Sequence, residues 1–168
     1  MEERHQFEFD IEEAVRRYSD MVYRLAVLNM KSRFDAEDVF QEVFLKLFRY
    51  KNSIQSEEHL KAWLIRVTIN QCKSAAVSGR KRQTVSLDTM GDIAEPMKEE
   101  EYSEVYELVR SLPLKYRQVI HLYYFEELSI KEIGDILNQK EGTVKTRLAR
   151  ARKLLNQKLE GGFLDGGI

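Results

Sequence analysis

Apolar residues recur along this chain at three- and four-residue steps, the period of helices buried on one face. Phe7, Ile11, Val15, Tyr18, Val22, Leu25 and Met30 predict a first helix over 7–31. Asp35 is placed to cap a second, running to Tyr50, whose wide apolar face is Val39, Phe40, Val43, Phe44, Leu47 and Phe48. Asp38, Gln41, Glu42 and Leu45 lie towards its other side. A polar connection over 50–61 ends at Ser56, a plausible cap with Glu57 and Glu58 behind it. The third helix turns Leu60, Trp63, Leu64 and Val67 to a core and sets Arg66, Asn70 and Lys73 along one polar edge. Arg80, Lys81 and Arg82 follow Gly79. The period then fades over 84–100, which holds Gly91, Pro96 and many acids, and reads as a linker.

Periodicity resumes with Tyr102, Val105, Tyr106 and Val109, followed by a helix opened at Leu112-Pro113 that carries Val119, Ile120, Leu122 and Tyr123. The most structured stretch is Leu128 to Leu155. Ser129 and Glu132 form a capping box, in which the hydroxyl covers one free N–H and the carboxylate reaches back towards another. Ile130, Ile133 and Leu137 continue that helix. Asn138 then offers the left-handed conformation of a helix stop. A further helix starts near Glu141, with Val144, Leu148, Ala151 and Leu155 on one stripe and Lys145, Thr146, Arg147, Arg150, Arg152 and Lys153 on the other side. A short helix, a turn and a basic amphipathic helix make the helix-turn-helix pattern, whose second helix enters the major groove. The plainer reading is a helical hairpin with a solvated basic face. After Leu159 the glycine-rich tail is expected to fray.

Charge changes the picture more than composition does. The 168 residues carry a net charge of only −1, which hints at no nucleic acid. Taken in blocks, however, 1–50 has net −3, 51–83 has +5, 84–110 has −6 and 111–168 has +3. Within the last block, 140–158 holds seven basic residues and one acid. Two basic segments separated by an acidic one suggest two nucleic-acid contacts on a tether. Two prolines, and eight glycines of which four fall in the last eight residues, leave a helical body. The single cysteine, Cys72, excludes an internal disulfide and fits a reducing cytoplasm. No apolar run is long enough to span a membrane, so no stable membrane insertion is expected. His5, His59 and His121 stand far apart, and no metalloprotease helix, nucleophile elbow or phosphate loop is present. The chain therefore reads as a binder rather than an enzyme, with no cofactor and no metal.

Glu132-Ile133, Gly142-Thr143-Val144-Lys145-Thr146-Arg147-Leu148 and Arg150-Ala151-Arg152 resemble region four of bacterial sigma factors of the extracytoplasmic-function group. LuxR-type regulators share part of this pattern. Asn138 stands where the family often has Gly. Ala36-Glu37-Asp38-Val39 with Gln41-Glu42-Val43-Phe44 resembles sigma region 2.2, which implies that Asp38, Gln41 and Glu42 bind core RNA polymerase. Physics alone would read that face as solvated acid favouring a helix start. Ala62-Trp63-Leu64-Ile65-Arg66-Val67 and Asn70 resemble regions 2.3 and 2.4. That resemblance implies capture of the melted −10 element as single strand, with Arg66, Asn70 and Lys73, and Arg80, Lys81 and Arg82 beyond them, as the DNA-binding set. It likewise implies reading of the −35 duplex through Thr143, Lys145, Thr146, Arg147, Ala149 and Arg150, with Arg147 and Arg152 holding phosphates or neighbouring helices. An anti-sigma factor is a further partner the resemblance implies.

The resulting expectation is an all-α protein of two small helical domains joined by a flexible acidic linker. Residues 1–83 form a region 2 domain, 84–100 the linker, 101–160 a helix-turn-helix region 4 domain and 161–168 a frayed tail. Fully extended, the 17 linker residues reach roughly 55 Å, against about 34 Å for one turn of B-DNA. The alternatives are a stand-alone LuxR-like regulator binding duplex DNA as a dimer, and a helical adaptor that touches no DNA.

Overall fold

The computed structural model describes residues 7–82 and 104–166, with the side chains of 78–82 and 162–166 excepted. The linker expected at 84–100, Tyr102, and the side chains of Arg80, Lys81 and Arg82 lie outside the described residues. Every regular element among them is helical, and the contacts divide the chain into two units.

The first unit holds α1 (Ile11–Asn29), α2 (Arg33–Tyr50), a 3-10 turn (Lys51–Ser53) and α3 (Glu57–Arg82). Each of the three helices packs against the other two. Asp10 starts α1, its Oδ1 accepting the Glu12 N–H at 3.1 Å. The cap of α2 is Ser32, not Asp35. The Ser32 hydroxyl accepts the Asp35 N–H at 3.1 Å, which places Asp35 inside the first turn, where its charge still suits the helix dipole. Ser56 caps α3 as expected, accepting the His59 N–H at 3.0 Å.

Val22, Leu25, Ala26, Val39, Val43, Leu47, Leu60, Leu64, Ile65 and Ile69 fill the core. Several expected core residues are only half-buried or exposed. Trp63 and Val67 are half-buried, while Ile65, Thr68, Ile69 and Cys72 take the interior. The buried stripe of α3 is thus rotated by about one residue from the expected one, because α3 is wedged between two partners and buries a wider arc. Buried Thr68 offsets the cost of its hydroxyl by donating to the Leu64 carbonyl at 2.6 Å. Phe48, expected inside, is 60% exposed near the end of α2.

The second unit holds α4 (Glu104–Arg110), α5 (Leu114–Ile120), a π turn (His121–Phe125), α6 (Ile130–Leu137) and α7 (Glu141–Gly166). Tyr106 and Val109 face inward, but Val105 is 47% exposed. Tyr123 is half-buried instead of in the core, because the π turn widens the helix there and shifts the register of every residue after it. That turn buries an ionisable pair: His121 Nε2 stands 3.1 Å from Glu126 Oε1, and the His121 ring stacks on Phe125.

The Asn138 stop between α6 and α7 is built as the sequence predicts, but the capping box ahead of it closes on a hydroxyl rather than on a second backbone N–H. Ser129 Oγ accepts the Glu132 N–H at 3.1 Å, and the Glu132 carboxylate accepts the Ser129 hydroxyl proton at 3.1 Å, so its reach back ends on the hydroxyl. Asn138 adopts φ 54° and ψ 50°, and the Gln139 N–H closes onto the Gly134 carbonyl at 2.8 Å. A Cβ on Gly134 would lie 2.7 Å from the Gln139 carbonyl oxygen, so this close return needs glycine. Helix α7 runs past Leu159 to Gly166. Extending a formed helix needs no new nucleus, which offsets part of the cost of Gly161 and Gly162.

Candidate nucleic-acid and polymerase-docking faces

Helix α7 buries Val144, Leu148 and Ala151 against α5 and α6, and Leu155 is half-buried. That anchoring turns the opposite side outward. Lys145, Thr146, Ala149 and Arg150 are exposed, while Thr143 and Arg147 are half-buried at the edge. The sequence-predicted −35 set therefore falls on one continuous side of a single helix. Its residues already have internal partners. Thr146 Oγ1 donates to the Gly142 carbonyl at 2.9 Å. The Tyr116 pKa, at the start of α5, is lowered first by the nearby Arg150 guanidinium and further by Lys115. Lys115, Tyr116, Gly142, Thr143, Thr146, Arg147 and Arg150 together line an open cleft of about 340 Å³. Arg152 is committed differently: its Nε donates to Tyr124 Oη at 2.6 Å and its guanidinium lies over the rings of Tyr123 and Tyr124. It holds a neighbouring element, one of the two roles the sequence reading gave it.

On α3, Arg66, Asn70 and Lys73 are all exposed along one side. The helix continues without a break through Gly79, so the backbone of Arg80, Lys81 and Arg82 extends the same rod. The approach to this face is held in place. Ile54 is fully buried, Ser53 Oγ donates to the Tyr50 carbonyl at 2.7 Å, and His59 Nδ1 accepts the Gln55 N–H at 3.0 Å. The Trp63 ring sits 6.5 Å from that of Tyr50.

On α2, Asp38 and Gln41 are exposed and Glu42 is half-buried. Sequence reasoning placed Leu45 beside them but missed Phe34 and Phe48. Phe34, Leu45 and Phe48 are 65%, 53% and 60% exposed. With Asp38 and Gln41 they fall at i, i+4, i+7, i+11 and i+14, one stripe along the helix. Large apolar side chains interleaved with an acid and an amide are the composition of a protein-binding surface rather than of a solvated face. The signal was present in the spacing, but Phe48 had been assigned to the core.

Burial pushes the Cys72 thiol up to about 12, which makes it inert at neutral pH. Among the described residues no group of His, Cys, Asp and Glu is arranged to hold a metal ion, and no helix is long and apolar enough to cross a membrane.

A three-helix unit with an exposed acid-and-apolar stripe is followed by a helix-turn-helix unit with a basic outer face. The profile for sigma-70 region 2 matches residues 14–82, and that for sigma-70 region 4 matches 102–155. The chain is 32% identical over 158 residues to the ECF RNA polymerase sigma factor SigW of Bacillus subtilis, covering 84% of both proteins. It is 31% identical over 161 residues to SigM of the same organism, covering 92% of this chain and 98% of that one. The fold resembles that of the sigma factor RpoE solved with the anti-sigma factor NepR from Bartonella quintana, at TM-score 0.75 and 22% identity over 90% of this chain and 97% of that one. The chain belongs to the sigma-70 family, in its extracytoplasmic-function group. The region 2 match does not favour the stand-alone regulator.

Proposed function

We propose that this sigma factor docks on core RNA polymerase through the α2 stripe, with Asp38, Gln41 and Glu42 giving polar specificity and Phe34, Leu45 and Phe48 giving buried area. Arg66, Asn70 and Lys73 on α3, continued by Arg80, Lys81 and Arg82, track the melted −10 strand. Asn70 can both donate to and accept from a base edge. Helix α7 enters the major groove of the −35 duplex with Lys145, Thr146, Ala149 and Arg150 towards the bases and Thr143 and Arg147 at the groove edge. The protein supplies recognition in the cytoplasm and leaves catalysis to the polymerase. Residues 84–100 serve as the tether between domains 1–83 and 101–160, so two weak sites combine into one selective one. An anti-sigma factor that covers either face would hold the protein inactive.

The observation that carries this reading is the occurrence, on one chain, of an exposed acid-and-apolar stripe on α2 and a basic groove-sized helix face on α7. Run-off transcription tests it. Core polymerase supplied with this chain should initiate from a promoter enriched from a random library, and lose initiation when either enriched element is scrambled. Initiation that survives scrambling of the upstream element would remove α7 from promoter reading.

A further inference from the structure

Helix α2 carries its outward stripe at alternating steps of four and three: Phe34, Asp38, Gln41, Leu45 and Phe48. That is the spacing by which one helix lies along another. The opposite side of the helix, with Ala36, Val39, Val43 and Leu47, faces the unit's own core. The stripe runs about 21 Å at 1.5 Å per residue. Its two flanks are polarised in the same sense. One carries Asp35, Glu42 and Arg49 at steps of seven, and the other Glu37, Phe44 and Lys51. Each flank begins with an acid and ends with a cation. Lys51 still has helical φ and ψ of −53° and −35°, and its Nζ stands 5.2 Å from the centre of the Phe48 ring, so the cation lies against the end of the stripe. At the other end Glu37 is exposed, with Arg33 Nε 3.0 Å from its carboxylate. A surface that is acidic at one end and basic at the other, along both edges, is complementary to itself when turned end for end.

We infer that a second copy of this chain pairs with the stripe, the two α2 helices lying antiparallel about a two-fold axis near Val43. Asp35 then faces Arg49 of the other copy and Glu37 faces its Lys51, each twice by symmetry, around an apolar strip of Phe34, Phe44, Leu45 and Phe48. A parallel alignment would set acid on acid and cation on cation, and would align the helix dipoles instead of opposing them. Glu42 meets its own copy near the axis, and Asp38 and Gln41 put polar groups into the seam, so the dimer is weak and reversible. The pairing covers Asp38 and Gln41. The inference therefore rests on α2 being the polymerase-docking face: unbound sigma factor stores that face against itself, and polymerase draws off monomer by mass action.

Sedimentation equilibrium of the full chain, from micromolar to hundreds of micromolar, should show a reversible monomer–dimer equilibrium. Glu37→Lys and Lys51→Glu, both at exposed positions outside the polymerase-binding set, should each weaken the dimer on the order of tenfold, because each sets like charges together twice. Mixing the two variants should restore wild-type association, since both pairs re-form with their charges exchanged. Leu45→Asp should leave monomer at every concentration with its helical circular dichroism intact. Core polymerase added to the dimer should yield a complex holding one copy of the chain. A chain that is monomeric throughout yet co-elutes with core would overturn the dimer and leave the docking reading standing. A dimer that Glu37→Lys and Lys51→Glu leave as strong as wild type, or a polymerase complex holding two copies, would also overturn it, since either places self-association on another surface. A dimer that responds to the charge exchange as described, from a chain that never binds core, would uphold the pairing and overturn the docking reading instead.

Discussion

Tyr18 shows how a buried polar residue is made tolerable in so small a core. Its hydroxyl donates to Glu57 Oε1 at 2.6 Å, and Arg17 pairs with the same carboxylate, tying α1 to the first turn of α3. Desolvation first, and the Glu57 carboxylate second, raise the Tyr18 pKa from 10.0 to about 12. A pKa raised in the folded state stabilises below the unfolded value and loses that contribution as pH climbs through the folded one. Stability should therefore fall between pH 10 and 12 by on the order of 2 kcal/mol more in wild type than in Tyr18→Phe. Urea melts of both proteins across that range check this, and parallel curves would mean that the Tyr18 hydroxyl is solvated. None of this was visible in the sequence, because Glu57 is 39 residues away and only the packing of α1 on α3 brings it near.

At the scale of elements, legibility followed locality. The turn from α6 to α7 is specified by residues within twelve positions of one another, and Ser129, Glu132, Asn138 and Glu141 all stand close to where the pattern puts them. Gly134 completes that turn but was unreadable, since its constraint comes from the Gln139 carbonyl folding back over it. Gly134→Ala should gain the helix propensity of alanine, about 1 kcal/mol, and lose more to the clash with fixed backbone. A net loss of about 1–3 kcal/mol is expected in thermal melts of the chain, with weaker promoter binding through a displaced α7. A stabilised variant would show that the turn can open without consequence. The buried arc of α3 and the π turn at His121 were misjudged for a different reason. An ideal 3.6-residue wheel cannot report that a helix is packed on two sides, or that one extra residue has been inserted into it.

The whole molecule is two separately packed helical units whose candidate faces lie on their most regular helices, α2, α3 and α7. What the sequence showed least well was the apolar share of the exposed α2 stripe. An exposed Phe48 and a core Phe look alike until the helix is placed against its neighbours. The most direct test of the account is the docking itself. Purified chain and core RNA polymerase should co-elute on size exclusion, and the Asp38→Arg, Gln41→Ala, Glu42→Arg triple variant should not, while keeping its helical circular dichroism. A correctly folded triple variant that still co-elutes as wild type does would contradict the assignment of α2 as the polymerase-binding face.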